Sequence, residues 1–174
     1  MSAINYDLKL IRALVFDVDG VLSPSTIPIG RDGMPQRMAN IKDGYALQLA
    51  VKRGLKMAII TGGTDPAVEI RYRALGMTDI FTGAAMKLTV LKGWMEENGL
   101  TPEETIYMGD DIPDLQAMRH VGLPCAPHDA ASEVLATAGY ISRFTGGYGC
   151  VRDVLEQVLK AQGLWLDDDK AFGW

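Results

Sequence analysis

Short apolar runs of strand length alternate along the chain with stretches in which apolar residues return at helical spacing. The first run, residues 10–16, closes on Leu14-Val15-Phe16 and reads as a fully buried strand. Residues 56–60, 80–81, 105–108, 122–126 and 140–142 are five more of the kind. Between them the pattern predicts helices over 44–53, from Thr64 and Pro66 to Leu75, and over 87–98, 111–120 and 129–138, with a last one over 151–161. Asp43 is the expected cap of the first helix, and Gly54, Gly76 and Gly99 end the first three. Pro66 and Pro113 are tolerated because each falls in a first turn, and Thr101-Pro102-Glu103-Glu104 reads as one capped turn. Strands joined by single helices imply a parallel sheet with right-handed crossovers. The expected fold is therefore α/β, a doubly wound, Rossmann-like parallel sheet in one domain spanning residues 1–174.

Residues 23–38 break the pattern. Pro24, Pro28 and Pro35 punctuate them, and Gly30-Arg31-Asp32-Gly33 forms a turn between residues 26–29 and 36–39. This predicts a projecting β-hairpin, limited by its prolines to edge pairing and placed to act as a flap. From Gly62 to Met86 there are 25 residues, which one helix, one strand and their loops consume, so no inserted cap domain fits there.

Composition narrows the functional classes. A chain of 174 residues, 48% of them hydrophobic, can bury a sizeable core. A net charge of -5 argues against general affinity for nucleic acid or membrane surfaces. No apolar run approaches the roughly 20 residues of a membrane span, and no basic-then-apolar leader is present, so a cytoplasmic location is expected. Cys125 and Cys150 have neither disulfide-framework nor zinc spacing and are expected to be buried. His120 and His128 lack partners at metal-site spacing and are assigned no role.

The chemistry starts at Asp17-Val18-Asp19-Gly20, where the first strand ends in two acids. Ligands of open α/β sheets bind beyond the carboxyl ends of strands, which makes Asp17 and Asp19 candidates for the floor of a site. On their own they equally suit the start of a turn. Downstream, Thr61-Gly62-Gly63 closes the second strand, Lys87 opens a helix, and Gly109-Asp110-Asp111-Ile112-Pro113-Asp114 follows the fourth strand. Two Asp, a hydroxyl, a Lys and an acidic trio, in that order, resemble the four motifs of the haloacid dehalogenase superfamily, most of whose members are Mg²⁺-dependent phosphohydrolases. The likeness spans residues 10–150 and is to a capless member.

That resemblance implies roles. Asp17 would be the nucleophile that forms an aspartyl-phosphate, and Asp19 the general acid and base. Mg²⁺ would be held by the Asp17 carboxylate, the Asp19 carbonyl and Asp110, an oxygen set that suits this ion. Thr61, with the N–H groups of Gly62 and Gly63, would bind a phosphoryl oxygen. Lys87 would stabilise charge in the transition state, supported by Asp111 and Asp114. As plain structure, Asp110 and Asp111 also suit the first turn of a helix.

Val18-Asp19-Gly20-Val21-Leu22-Ser23, Ile41-Lys42-Asp43-Gly44-Tyr45 and Gly146-Gly147-Tyr148-Gly149 are further similar to the 3-deoxy-D-manno-octulosonate 8-phosphate phosphatases of that superfamily. Relatives of similar layout act on nine-carbon keto-sugar phosphates, and a catalytically silent module on the same fold is the alternative from another class. Such substrates carry a carboxylate remote from the phosphate, for which Lys42 and Arg71 are the candidate cations. For Arg71, a solvated helix position is an equal reading. The chain departs from the family pattern at Pro24, usually an acid, and at Gly63 and Tyr148, both often arginine. The resemblance also implies a homotetramer in which the hairpin and residues 144–149 cover a neighbouring site. The end of the chain, residues 162–174, has no clear period; a terminus is ordinarily loosely held, and its Trp and Phe suit docking on a partner subunit.

Overall fold

The computed structural model describes residues 3–173, so Met1 and Ser2 of the polar lead-in and Trp174 of the expected tail lie outside the described residues. At its centre is β1 (Ala13–Phe16), whose four residues are all buried. It pairs in parallel with β2 (Lys56–Ile60) and with β4 (Thr105–Met108), Leu14 standing between Met57 and Ile106. β3 (Asp79–Phe81), β5 (Leu123–Ala126) and β6 (Tyr140–Ile141) complete a six-stranded sheet in the order β3-β2-β1-β4-β5-β6, all neighbours parallel.

Alternation along the strands makes two cores. Leu14, Phe16, Met57, Ile59, Ile106 and Met108 face one layer, formed by α1 (Ile41–Lys52), α2 (Pro66–Arg73) and α6 (Cys150–Ala161). Ala13, Val15, Ala58, Ile60 and Tyr107 face the other, formed by α3 (Lys87–Glu97), α4 (Leu115–Met118) and α5 (Ser132–Thr137). The strand order reverses between β1 and β4, and beyond the carboxyl ends of strands at such a switch point lies the crevice of an open α/β sheet. Cys125 and Cys150 are both buried and free.

Several expected boundaries shift for identifiable reasons. β1 starts at Ala13 because Leu8–Leu10 forms a 3₁₀ turn, capped by Asp7 through the Lys9 N–H. The hairpin is reduced to one antiparallel bridge, Ile29 with Pro35, closed by Gly30 N–H to Met34 O and Gln36 N–H to Pro28 O. Prolines at 28 and 35 remove the donors a longer ladder would need. Residues 111–120 divide into a 3₁₀ turn, Ile112–Asp114, and α4. Asn40, not Asp43, caps α1, accepting from the Lys42 and Asp43 N–H groups.

Asp43 has another job. Its Oδ1 accepts from Arg152 N–H at 2.8 Å, in the first turn of α6, whose own N-cap residue Gly149 has φ 111° and supplies no side chain. Asp43 therefore caps a helix distant in sequence and ties α1 to α6. Its Oδ2 is buried with no hydrogen-bond partner among the described residues. Burial, only partly offset by the Arg152 N–H, the Arg152 charge and the Gly149 N–H, pushes its pKa up to about 6 from 3.8. The folded protein thus holds this proton more tightly than the unfolded chain, so the stabilisation is full below about pH 4 and is lost as pH rises through about 6. Asp43→Asn keeps the acceptor oxygen, so its Tm relative to wild type should climb between about pH 4 and about pH 7. A difference independent of pH would contradict this. Asp43→Ala, which removes the cap, is expected to cost about 1–2 kcal/mol in urea unfolding.

The chain end packs on its own domain. Arg53 pairs with Asp167 and Asp168, Tyr45 O–H donates to Ala171 O, and the Trp165 ring meets Tyr45 edge-on at 5.9 Å. Tyr45 and Arg53 belong to α1 and its C-terminal cap, so α1 is the platform for this tail.

Candidate active site

Asp17 directly follows β1 and extends the parallel ladder through its N–H to Met108 O at 3.1 Å. Its Oδ1 accepts from Val18 N–H at 2.7 Å, and its Oδ2 lies 2.7 Å from Lys87 Nζ. Lys87 stands at the first position of α3, buried, and donates also to Asp114 Oδ1 at 2.8 Å. Tyr107 O–H donates to the same Asp114 oxygen at 2.8 Å, while Asp114 Oδ2 accepts the Asp110 and Asp111 N–H groups at 3.1 and 3.4 Å. Asp114 is thus saturated with donors, and its function is to hold Lys87 against Asp17.

Carboxylate oxygens of Asp17, Asp110 and Asp114 lie within 4.8 Å of one another. Two glycines make this density possible. A Cβ on Gly20, which has φ +82°, would fall 1.8 Å from Asp110 Oδ2. A Cβ on Gly109 would fall 2.4 Å from Asp114 Cβ. The glycine-rich stretch serves the same loop from outside: a Cβ on Gly146 would lie 1.9 Å from Gly20 O, and Gly147 N–H donates to Val21 O at 2.8 Å.

One ammonium cannot balance three carboxylates. Burial and the Asp114 charge push Asp17 up to about 7 in spite of Lys87, and burial with Asp17, Asp114 and Asp111 pushes Asp110 up to about 8. Burial alone would lower Lys87, but Asp17 and Asp114 outweigh it and raise its pKa. This surplus of negative charge on oxygen ligands fits a hard divalent cation. Asp114 has no free lone pair, whereas among the described residues no donor is bonded to the Asp110 carboxylate. Asp17 and Asp110 are therefore the carboxylates available to Mg²⁺.

A stability prediction follows from the signs. Both pKa values are raised on folding, so without metal the protein loses stability as pH climbs from about 4 through about 8. Mg²⁺ needs both acids ionised and should stabilise more at about pH 8 than at about pH 6. At a hundredfold excess over Kd the gain is about 2.7 kcal/mol, or about 5–10 °C in Tm for a chain of this size. A Tm insensitive to Mg²⁺ at both pH values would contradict the assignment of the acids.

Thr61 follows β2, is buried, and its Oγ1 accepts from Gly63 N–H at 3.2 Å. Gly62 is exposed, with open space where a Cβ would stand. Both Asp19 oxygens accept from Arg37, at 2.7 Å from Nε and 2.8 Å from Nη2. Asp111 does not meet Lys87; it stands at the N-cap of the 3₁₀ turn that contains Asp114, and its N–H donates to Asp114 Oδ2.

The two expected remote cations are not gathered here. Lys42, exposed in the first turn of α1, opens on a groove of about 910 Å³ shared with Arg143, Phe144 and Tyr148, which none of Asp17, Asp19, Lys87 or Asp110 lines. Arg71 packs against α1, where a Cβ on Gly44 would lie 2.8 Å from its Nη2, and its buried Nε has no hydrogen-bond partner among the described residues. The basic group that does reach the site is Arg37, which the sequence reading overlooked. It stands in the proline-bearing loop, and no local pattern links it to Asp19, 18 positions away, or to Asp65, 28 away.

Comparison with known proteins follows the same geometry. A family model described as haloacid dehalogenase-like hydrolase matches residues 40–127. The 3-deoxy-D-manno-octulosonate 8-phosphate phosphatase of Escherichia coli (strain K12) is 39% identical over 160 residues, 92% of this chain and 85% of that protein. A crystal structure of the phosphatase of the same name from Moraxella catarrhalis, in complex with a magnesium ion, a phosphate ion and a KDO molecule, is similar with a TM-score of 0.86 and 36% identity over 90% of each chain. The cobalt-bound deoxy-D-mannose-octulosonate 8-phosphate phosphatase from Haemophilus influenzae gives a TM-score of 0.88 at 28% identity, covering 95% of this chain and 98% of that one.

Proposed function

The chain belongs to the haloacid dehalogenase-like hydrolases, and from that premise we propose that it is a Mg²⁺-dependent phosphatase acting on a keto-acid sugar phosphate, 3-deoxy-D-manno-octulosonate 8-phosphate first among them. The observation that carries the reading is the Lys87 bridge between Asp17 and Asp114 beside an undonated Asp110. It joins a nucleophile, a cation and a metal ligand in one buried cluster. The relatives named above supply the substrate class.

Phosphate monoesters are dianions, so the chain's first task is neutralisation. Lys87, Thr61 and the N–H groups of Gly62 and Gly63 receive the phosphoryl oxygens and direct phosphorus at Asp17. An Asp17 oxygen attacks phosphorus, the ester P–O bond breaks, and Asp19 gives its proton to the leaving alkoxide. Asp19 then takes a proton from water, whose oxygen attacks the same phosphorus and releases phosphate and the Asp17 carboxylate. Asp17, the Asp19 carbonyl and Asp110 would hold Mg²⁺, which would supply positive charge against the phosphoryl oxygens.

An apolar rim supports a covering subunit. Ile29, Met34, Met38, Met86, Ile112 and Tyr148 are all exposed, and all lie on segments that follow strand carboxyl ends. Homotetramer assembly in which neighbours close over this rim would remove that surface from water. Among the described residues no helix is long and apolar enough to cross a membrane, and we place the enzyme in the cytoplasm, where sugar phosphates are made.

A panel of phosphate esters, assayed with Mg²⁺ and with EDTA, tests the reading. Mg²⁺-dependent phosphate release from the eight-carbon keto acid far above other esters is the expected result. Preference for a nine-carbon keto-sugar phosphate would move the substrate within the same class, and folded protein silent on every ester would leave a non-catalytic module.

A further inference from the structure

Arg37 is held by two acids of different standing. Its Nε and Nη2 fork onto both oxygens of Asp19, and its Nη1 donates to Asp65 Oδ2 at 3.2 Å. The other Asp65 oxygen accepts from Ala67 N–H at 2.9 Å as the cap of α2, so Asp65 is fixed by a helix end. Among the described residues no second donor fixes Asp19, and its side chain is 39% exposed against 12% for Arg37. The guanidinium lies over the turn that follows Thr61, where a Cβ on Gly63 would come within 2.8 Å of Nη2. A glycine at 63 is what leaves room for it.

This arrangement poses a problem for turnover. A guanidinium donates and cannot accept, so while both Asp19 oxygens face its N–H groups, Asp19 is directed at Arg37 and not at a leaving group. The fork must open before Asp19 can act. A carboxylate on the substrate presents the same planar pair of oxygens that Asp19 does and can take its place on the guanidinium. Asp65 stays as the pivot, so Arg37 changes one partner without leaving the mouth of the site.

We propose that Arg37 is the specificity-determining cation of this enzyme: it locks Asp19 as a carboxylate until the carboxylate of a keto-acid substrate displaces it, and that exchange frees Asp19 to take up a proton from solvent and then serve as acid and base. The inference rests on the keto-acid reading of the substrate. It assigns the remote carboxylate to Arg37 in place of Lys42 and Arg71, and it makes the carboxylate a trigger as well as a handle. Esters lacking it must break the fork with nothing to replace Asp19.

The test compares kcat and KM of the Mg²⁺-saturated protein for 3-deoxy-D-manno-octulosonate 8-phosphate and for a hexose 6-phosphate, in wild type, Arg37→Ala and Arg37→Lys. Arg37→Ala should lower kcat/KM for the keto acid by about 100-fold, the scale for truncating one partner of a charge-paired contact, and should raise it severalfold for the hexose ester. Arg37→Lys should recover about a tenth of the loss, keeping the charge without the fork. Calorimetric titration with the phosphate-free keto-acid sugar supplies a readout independent of turnover, and its affinity should fall in Arg37→Ala. Loss of activity on both esters alike, or titrations that match wild type, would overturn the proposal while leaving the substrate reading intact. A wild type with no preference for the keto acid would overturn both.

Discussion

Asp17→Asn is expected to reduce kcat by about 10⁴ or more, the scale seen when a covalent nucleophile is removed from a working catalytic set. The amide is nearly isosteric, and its oxygen can still accept the Val18 N–H that Asp17 Oδ1 accepts at 2.7 Å. Lys87 keeps its contact with Asp114 at 2.8 Å. The fold should therefore persist while the attacking oxygen is lost. The same variant carries an unusual stability signature, because Asp17 is buried among like charges that push its pKa up to about 7. Removing that charge should raise the Tm of the metal-free protein at about pH 8 and shrink the further rise on adding Mg²⁺. A merely structural Asp17 would give the opposite, with lower stability and retained turnover.

Lys87→Met carries the second large effect. Its ammonium lies 2.7 Å from Asp17 and 2.8 Å from Asp114, with a side chain only 6% exposed. Deleting it leaves two buried carboxylates without their shared cation, and breaking a buried pair from one side typically costs about 3–5 kcal/mol. Urea unfolding without metal should register that loss, and Mg²⁺ should restore part of it. Catalysis should suffer separately: removing one preorganised group aimed at developing charge costs about 10²–10³ in kcat. These losses should persist at saturating Mg²⁺, since the metal would be held by Asp17 and Asp110 and would not replace the Lys87 ammonium. Unchanged kcat in a folded Lys87→Met protein would remove Lys87 from the mechanism.

The parts of this architecture readable from the chain are those governed by local rules. Apolar runs such as Met57-Ala58-Ile59-Ile60 located the strands, because parallel strands buried on both faces carry no polar interruptions. The acids after β1 and β4 were legible because charge at the end of an apolar strand needs a reason. Groups whose partners are remote in sequence were not legible. Asp43 looked like the cap of its own helix, yet it caps α6, 109 positions away, and Asn40 does the local work. Arg37 reads as a strand residue of a hairpin that its prolines hold to a single bridge, and only folding brings it to Asp19 and Asp65. Lys42 was chosen for its motif, but helical geometry turns its first-turn position outward to another groove. In each case the hydrophobic pattern specified the element, and tertiary approach decided what its polar side chain touches.

The covalent relay through the carboxylate after β1 is tested most directly by the stereochemistry at phosphorus. Hydrolysis of a phosphorothioate substrate made chiral with two oxygen isotopes, in water carrying the third, should give inorganic thiophosphate with retained configuration, because attack by Asp17 and then by water inverts phosphorus twice. Net inversion would mean that water displaces the alcohol in a single step, and Asp17 would then have no place as the nucleophile.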